Sequence, residues 1–489
     1  MVQPICCFAL CILMSTSVLA QKGTVPFQED FPPEEFSQRR DKVYDAIGEQ
    51  GIALLQGAAN PPGYITFRQD NNFYYLSGVE TPHAYLLLDG ANREAILLFL
   101  QHSNEAREAF EGLQFSVENA DLVTRETGID NVLGSERLGE ALADYLHDPG
   151  NVPALYLQFS PAENRAASRD MVLRTMGDIA NDPWDGRPSR QSHFVNLVKT
   201  RFPRFEVKDL TPILDNLRLI KSPLEIEMIR RASRASGLGL MEAMRSTKPG
   251  RFEYELDAVC KLIFYRLGAQ SDAYYSLVAT GKNAWINHYN TKKSVMEDGE
   301  LVLMDYAPDI GYYVSDITRM WPVNGKFSPS QREIYQFYLD FHSAILDCIQ
   351  PGLTPKTIML NAVKKMEKLL ANRKFSKSYY ADAARKWVDD YRRNAERRNP
   401  DLGHWVGMAV HDVGFDVGPL RSGMVFTVEP DVRVPEEKLF ISVEEIIVIT
   451  EDGYENLSAF VPKEVDEIEA LMRENGILDR LEAGSVSTK

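Results

Sequence analysis

Cysteine is scarce in this chain of 489 residues, which contains five. Three of them (Cys6, Cys7 and Cys11) fall within the first 20 residues, so Cys260 and Cys348 are the two in the body of the chain. This scarcity excludes a small scaffold held together by disulfides. Two cysteines in a large domain are usually small buried apolar residues, which is our prediction, and a disulfide between them is the alternative.

Basic residues are also in deficit. Lys and Arg total 54 against 70 Asp and Glu, which leaves a formal net charge of −16. Proteins that bind nucleic acid usually present a basic face to the phosphates, and the short basic clusters here are typical of solvated helix surfaces. We therefore expect no nucleic-acid partner, and the acidic surplus favours solubility.

Long hydrophobic runs are lacking beyond the amino terminus, so the sequence predicts no membrane span in the mature protein. The first 20 residues differ, because they are apolar from Ile5 onward and have small side chains at Val18 and Ala20. This pattern predicts a cleaved signal peptide at residues 1–20 and a secreted or periplasmic protein. No Lys or Arg precedes the apolar core, so the alternatives are an uncleaved anchor or a wrongly assigned start residue.

Several common catalytic motifs are absent as well. The sequence has no His-Glu-x-x-His, no Gly-x-Ser-x-Gly and no Gly-x-x-x-x-Gly-Lys-Ser/Thr. These absences exclude the helix-borne zinc site of many metallopeptidases, the nucleophile elbow of α/β-hydrolases and the phosphate-binding loop. The enzyme classes that depend on these motifs therefore find little support in the sequence.

The length is typical of two or three domains, and the pattern of the sequence changes near residues 211–222. Upstream, short apolar runs alternate with helical stretches, which predicts an α/β domain over residues 30–210. We interpret the run from Phe73 to Leu76 as one of its buried strands.

The part after this boundary contains the same succession twice. Two segments, 222–225 and 328–331, each start a helix with Ser as the N-cap, Pro at the first helical position and Glu or Gln closing a capping box. Each helix leads to a Pro-Gly pair and then to an acidic strand pair. The shared order predicts an internally duplicated α+β domain over residues 217–480, with a central sheet and flanking helices.

Two acids stand on the strand pair of each half. A hairpin that turns at 310–311 places Asp305 directly opposite Asp316. In the second half, a hairpin places Glu429 opposite Glu444 in the same way. Opposed like charges destabilise a sheet unless something compensates them, and the flanking residues here are apolar. Acids in such surroundings take up protons or bind cations.

Four carboxylates would balance two divalent ions. Oxygen ligands with one imidazole suit Mn²⁺ and would also accept Co²⁺ or Zn²⁺. The best candidate for the imidazole is His404, which precedes His411 by seven residues in a glycine-punctuated apolar run, and a third candidate for the site is His288. The alternative is that these acids lie on exposed hairpins and bind no metal.

These residues resemble the motifs of metallopeptidase family M24, the creatinase-like pita-bread enzymes that include aminopeptidase P and prolidase. The family's ligands occur in the order Asp, Asp, His, Glu, Glu, which fits Asp305, Asp316, His404, Glu429 and Glu444. The likeness covers about residues 217–460. Residues 67–78 also look like the N-terminal domain of aminopeptidase P.

The resemblance implies a two-metal hydrolase of Xaa-Pro peptide bonds. In such a site Asp316 and Glu444 would bind both ions, Asp305 would complete one ion's ligands, and His404 and Glu429 would complete the other's. The substrates would be proline-containing peptides, and relatives are often dimers or tetramers.

Catalytic roles are implied for three residues. Glu429 would help to move a proton, and His411 and His288 would bind the substrate carbonyl and the prolyl region and stabilise the tetrahedral intermediate.

The sequence departs from the family pattern at several places. Pro400 stands where relatives usually have a further His, Ser442 where they have an Arg, and Asp431 where they have a Gly. The stretch 374–398 looks like a divergent insertion. These departures affect the expected substrate preference but leave the five ligand positions filled.

Three functions are therefore to be compared. An Xaa-Pro aminopeptidase is favoured by the 67–78 motif, and a prolidase specific for Xaa-Pro dipeptides is the first alternative. A non-peptidase relative that uses the fold as a binding module is the second, and the filled ligand positions argue against it.

Overall fold

The computed structural model describes residues 27–93, 96–147, 153–163, 167–414 and 418–486. The signal peptide predicted at residues 1–20 lies outside these ranges. In the described parts of the chain, no helix is long and apolar enough to cross a membrane.

Helices occur along the whole described chain. In order they are α1 (Pro33–Ile47), α2 (Asn71–Ser77), α3 (Glu105–Glu111), α4 (Ala120–Thr127), α5 (Leu138–Asp144), α6 (Arg169–Asn181), α7 (Arg190–Arg201), α8 (Thr211–Leu219), α9 (Pro223–Arg245), α10 (Glu253–Arg266), α11 (Pro329–Leu346), α12 (Pro355–Ala371), α13 (Ser378–Ala395), α14 (Val465–Leu471) and α15 (Ile477–Val486).

The strands are shorter than the helices. In order they are β1 (Gly51–Gln56), β2 (Tyr85–Asp89), β3 (Ile96–Leu100), β4 (Asn131–Gly134), β5 (Ala154–Leu157), β6 (Glu206–Asp209), β7 (Ser271–Asp272), β8 (Leu277–Thr280), β9 (Leu301–Asp305), β10 (Pro308–Ile310), β11 (Tyr313–Val314), β12 (Thr318–Pro322), β13 (Val425–Val428), β14 (Asp431–Val434), β15 (Leu439–Ser442), β16 (Glu445–Ile449) and β17 (Tyr454–Asn456).

The first six strands form one mixed sheet in the order β4-β3-β2-β1-β5-β6. The β1–β2 and β2–β3 pairs are antiparallel, and the other three pairs are parallel. Helices between the strands cover this sheet, as the predicted α/β organisation requires. The predicted fold class is confirmed for this half of the chain.

Helix α2 contradicts one detail of the sequence interpretation. Phe73 to Leu76 are helical, so the prediction of a buried strand there is wrong. The Asp70 side chain accepts hydrogen bonds from the N–H groups of Asn72 and Phe73 and caps the helix. Short apolar runs read alike in a buried strand and a buried helix, and the polar cap before this run selects the helix.

The duplicated part of the chain contains the predicted helices. Ser222 and Ser328 cap α9 and α11, each with a capping box and a Pro at the first helical position. Each is followed by a second helix, α10 or α12. Strands follow α10 directly, whereas α13 stands between α12 and the strands of the second repeat. The predicted helix starts are confirmed.

The hairpin of the first half has a different register from the predicted one. Asp305 pairs with Thr318. Asp316 precedes Thr318 by two residues, so its side chain lies on the same face of the hairpin as that of Thr318. The turn is at Gly311 and Tyr312, with φ of 56° and 73°, the pattern of a two-residue type I′ turn. The predicted direct opposition of Asp305 and Asp316 is therefore wrong, and the two acids are diagonal neighbours.

The second hairpin has the predicted register. Val428 pairs with Glu445, and Asp431 pairs with Ser442. Glu429 and Glu444 fall opposite each other between these pairs.

The core of the second half is apolar and continuous around the strand ends. Cys260 and Cys348 are both buried free thiols within it, so they behave as small apolar residues. The alternative of a disulfide is excluded by this arrangement.

Candidate metal centre

The predicted ligands come from strand ends and links in both halves of the duplicated domain. Asp305 ends β9, Asp316 lies between β11 and β12, Glu429 follows β13 and Glu444 precedes β16, while His404 lies in the link between α13 and β13. Antiparallel strands that end at one place bring their terminal side chains together. The structure therefore gathers residues that are far apart in the sequence.

His404 lies among the acids. Its Nε2 is 3.3 Å from Asp316 Oδ2 and 3.2 Å from Glu429 Oε1. It is also 3.9 Å from Glu444 Oε1. Ligand atoms of Asp316, His404 and Glu444 all lie within 4.8 Å of one another, which is close enough for one ion to contact all three.

Asp305 joins this group through a tyrosine that the sequence interpretation missed. The Tyr274 Oη lies 2.5 Å from Asp305 Oδ1 and 2.5 Å from Asp316 Oδ1. Burial first, and then the charge of Asp305, raise the pKa of Tyr274 well above its ordinary value, so the hydroxyl keeps its proton and donates it. No motif marks Tyr274, and only the fold brings it to the acids.

The acids repel one another in a buried place. Burial, followed by repulsion from Asp316, raises the pKa of both Asp305 and Glu444 well above the ordinary value. Burial alone would lower the pKa of His404, but the charges of Glu429 and Asp316 outweigh it and raise that pKa to about 9. The group therefore requires positive charge from protons or from metal ions.

One carboxylate oxygen supports metal ions as the source of that charge. Glu444 Oε2 accepts a hydrogen bond of 2.9 Å from Thr318 Oγ1. Its Oε1 is buried and has no hydrogen-bond partner among the described residues. Buried polar atoms are almost always paired, so an orphaned carboxylate oxygen beside three other acids fits a cation ligand. Oxygen donors with one imidazole suit a divalent ion.

Neighbouring residues hold the ligands in place. The Thr427 hydroxyl accepts a hydrogen bond from His404 N at 3.1 Å and donates one to Glu429 Oε1 at 2.8 Å. Arg319 donates to the Glu444 carbonyl oxygen at 2.7 Å and pairs with Glu445 at 3.1 Å. Hydrogen bonds of this kind orient metal ligands and tune their affinity.

The two other predicted histidines differ in their placement. The ring of His411 lies 4.1 Å from the ring of His404, centre to centre, and so reaches the ligand group. His288 is exposed on a loop after β8, and among the described residues it takes part in none of the group's hydrogen bonds or ion pairs. Its neighbour Asn287 bonds to Arg433, which ties this loop to β14.

Two cavities meet at His404. The larger, of about 650 Å³, is lined by Glu429, Asp431, Arg433 and one side of α13. The smaller, of about 480 Å³, is lined by His411, Pro400, Asp170 and apolar side chains such as Trp405. Both volumes are in the range of small-molecule and peptide sites.

The departures from the family pattern lie around these cavities. Pro400 lines the smaller cavity and Asp431 the larger one. Helix α13, within the stretch 374–398, forms a wall of the larger cavity. Ser442 is buried, with its hydroxyl 3.5 Å from the carbonyl oxygen of Pro430.

Both parts of the chain match known protein families. Residues 227–451 match metallopeptidase family M24, and residues 36–153 match the aminopeptidase P N-terminal domain. The chain is 32% identical to the Xaa-Pro aminopeptidase of Haemophilus influenzae over 468 residues, which cover 91% of this chain and 99% of that protein. It is also 32% identical to the Xaa-Pro aminopeptidase of Escherichia coli over 463 residues, 90% of this chain and 97% of that protein.

The fold agrees with that of a solved structure. The structure of E. coli aminopeptidase P with the inhibitor Pro-Leu superposes with a TM-score of 0.72 at 29% identity. The superposition covers 91% of this chain and 99% of that one. The similarity therefore includes both the N-terminal sheet and the duplicated half.

Proposed function

The chain belongs to metallopeptidase family M24, and from this membership we propose that it is a metal-dependent Xaa-Pro aminopeptidase. It releases the N-terminal residue from peptides whose second residue is proline. The observation that carries this proposal is the likeness to Xaa-Pro aminopeptidases at 32% identity over 91% of the chain, N-terminal domain included. The prolidase alternative is not favoured, because the relatives with this likeness are named as aminopeptidases and not as dipeptidases.

Two divalent ions are proposed at the acidic group, with Mn²⁺ the preferred metal on the chemistry of its ligands. Asp316 and Glu444 would contact both ions. Asp305 would complete one site, and His404 with Glu429 the other. The orphaned oxygen of Glu444 and the short distances around His404 support this assignment.

Bound ions would lower the pKa of the attacking water and polarise the scissile carbonyl. Glu429 would help to move the proton of that water, which is needed on the departing prolyl nitrogen. Tyr274 holds Asp305 and Asp316 at a fixed separation.

Substrate contacts are proposed for two histidines. His411, beside His404 in the smaller cavity, would bind the scissile carbonyl. His288 would contact the prolyl region from the loop that Arg433 ties to the cavity rim.

The remaining assignments follow from the sequence. We propose that residues 1–20 are a signal peptide and that the protein is secreted or periplasmic. The proposed domains are an N-terminal aminopeptidase P-like domain at 30–210 and a catalytic domain at 217–480. Assembly into a dimer or tetramer is a further proposal, which sedimentation of the purified protein would test.

The activity is tested with the protein lacking residues 1–20, loaded with Mn²⁺. An Xaa-Pro dipeptide and a longer Xaa-Pro-Xaa peptide are supplied side by side, and the released amino acid is measured. Release of the first residue from the longer peptide supports the proposal. Cleavage of the dipeptide alone would indicate a prolidase, and cleavage of neither, with two metals bound, would refute Xaa-Pro specificity.

A further inference from the structure

Helix α6, of the N-terminal domain, reaches the proposed active site. The Ser168 hydroxyl, which directly precedes this helix, accepts a hydrogen bond of 3.0 Å from the backbone N–H of His411. Asp170, in the first turn, places its Oδ2 3.0 Å from His411 Nδ1. Both the backbone and the ring of His411 are therefore held by residues from the other domain.

The residue after His411 is linked to the N-terminal domain through a network of charged side chains. Asp412 pairs with Arg218 at 2.5 Å, and the same guanidinium donates to Glu163 and Asn72 at 2.8 Å each. Lys221 also pairs with Asp412, at 3.2 Å. The four charged side chains are each about 1% exposed. This buried network fixes the loop that carries His411 against the N-terminal domain.

The contact between Asp170 and His411 has a chemical consequence. Partial burial alone would raise the pKa of Asp170, but the bond to His411 outweighs it and holds the pKa below the ordinary value. The Asp170 carboxylate therefore only accepts hydrogen bonds at neutral pH, so His411 Nδ1 must carry the proton of this bond. In a histidine, the bond made by one ring nitrogen decides which atom is left for the substrate, and here that atom is Nε2.

We propose that Asp170 is a positioning residue for the aminopeptidase reaction, which fixes the tautomer and the orientation of His411 from the N-terminal domain. The inference rests on the proposed function. In this inference the N-terminal domain does more than line the smaller cavity. It also orients His411, the group proposed to contact the substrate. Asp170 itself lines the smaller cavity beside Leu173 and His411.

A simpler explanation is available for an acid at this position. Acids are favoured in the first turn of any helix because of the helix dipole, and that effect would be purely structural. The experiment must therefore separate a loss of α6 stability from a loss of His411 orientation. Asp178 supplies a control, because it lies exposed on the same helix.

The test uses Asp170→Asn, which keeps the size of the side chain but replaces an acceptor with an amide that can also donate. We expect kcat on an Xaa-Pro-Xaa peptide to fall about 10- to 100-fold, the same order as the loss caused by removing the hydrogen-bond partner of a metal-ligating histidine. KM, the bound metal content and the melting temperature should stay close to wild type. Asp170→Glu should recover part of the loss, and Asp178→Asn should show none.

The decisive comparison is made in a His411→Ala background. If Asp170 acts through His411, adding Asp170→Asn there should change kcat/KM by less than about twofold, because residues that act as a unit are not additive. An independent loss of the same size in both backgrounds would overturn the proposal. So would a loss of metal from Asp170→Asn, or an equal effect of Asp178→Asn.

A second readout does not depend on activity. Histidine-labelled protein, with the His411 signal assigned from His411→Ala, should show a protonated Nδ1 in its ¹⁵N spectrum, and Asp170→Asn should shift that signal. An unprotonated Nδ1 in the wild type would refute the inference. If the wild type cleaves no Xaa-Pro peptide, the proposed function fails, while the spectrum still decides whether Asp170 sets the tautomer.

Discussion

Glu444 is the side chain whose surroundings depend most on a cation. One of its oxygens has a hydrogen-bond partner and the other has none, and burial with three neighbouring acids raises its pKa well above the ordinary value. A carboxylate of this kind is costly to keep charged without a counter-ion. In the proposed ligand assignment, Glu444 is therefore a sensitive point for metal binding.

Removal of a proposed shared ligand should empty the site. We expect Asp316→Ala and Glu444→Ala to lose both metal ions and nearly all activity, because each would remove an oxygen that contacts both ions. Elemental analysis of the purified variants, beside an activity assay, measures this. Glu451→Ala, at an exposed acid in the same half, should keep both metals. Wild-type turnover in either ligand variant would refute the ligand assignment.

His342 gives a pH dependence that is separate from catalysis. It is buried, and burial lowers its pKa from 6.5 to about 4. The unfolded chain takes up this proton near pH 6.5 and the folded protein only near pH 4. Stability should therefore fall by about 3 kcal/mol as the pH drops through that window.

Substitution of His342 tests this expectation. In His342→Leu the loss of unfolding free energy between pH 6.5 and 4 should be smaller by that amount, as measured by urea unfolding at several pH values. His147→Leu, at an exposed histidine, should leave the profile unchanged. An identical profile in His342→Leu would show that other groups cause the dependence.

At the level of single elements, the β10–β11 turn sets the position of Asp316. Its two central residues have positive φ, and Tyr312 tolerates this because its ring stacks on Tyr74 at 3.6 Å and lies under Arg68. The Tyr312 hydroxyl also donates to Glu80 and accepts from the backbone of Gln69. Residues of the 67–78 motif thus support the turn that precedes Asp316.

The other central residue of that turn offers a direct test. Gly311→Ala should destabilise the protein by at least 1–2 kcal/mol, roughly the cost of a left-handed conformation in a residue with a Cβ. The added methyl would also overlap Met228 and lie 2.7 Å from Asp30 Oδ2. Urea unfolding and metal content measure the two effects. Gly139→Ala, where an added methyl meets nothing, should cause no loss.

In the whole molecule, the N-terminal and duplicated halves are joined by buried charges. Arg68 pairs with Asp309 at 2.8 Å, and Arg218 pairs with both Glu163 and Asp412. A buried ion pair adds little stability compared with well-packed apolar residues at the same positions. Removing one partner of the pair, however, leaves the other charge buried and uncompensated. These ion pairs between the halves, here called the joint, therefore favour one relative arrangement of the two halves.

Arg218→Ala should be strongly destabilising for this reason. We expect a loss of about 3–5 kcal/mol, since Glu163 and Asp412 would be left buried without their partner. Calorimetric unfolding measures the change. A first unfolding transition at a lower temperature would show that the halves separate more easily. Arg174→Ala, at an exposed arginine, is the control. An unchanged melting profile in Arg218→Ala would show that the joint depends on other contacts.

Much of the fold could be predicted because its signals are local. The caps of α9 and α11 and the register of the β14–β15 hairpin depend on residues near each other in the sequence. The first hairpin was predicted wrongly, since a turn with positive φ at Tyr312 is stabilised by distant partners. Helix α2 was predicted wrongly because a short apolar run is compatible with either a strand or a helix, and its local cap at Asp70 was overlooked. Tyr274 has no sequence signal, because only its place beside Asp305 gives it a role.

The sequence by itself determined the five ligand candidates, the two-domain order and the family, because ligand type and spacing along a strand are local properties. The tertiary structure decided which side chains meet: the diagonal placement of Asp305 and Asp316, the bridging hydroxyl of Tyr274, and the contact of Asp170 with His411. Those contacts join residues far apart in the chain, and their distances depend on how the whole core packs, which no local pattern encodes.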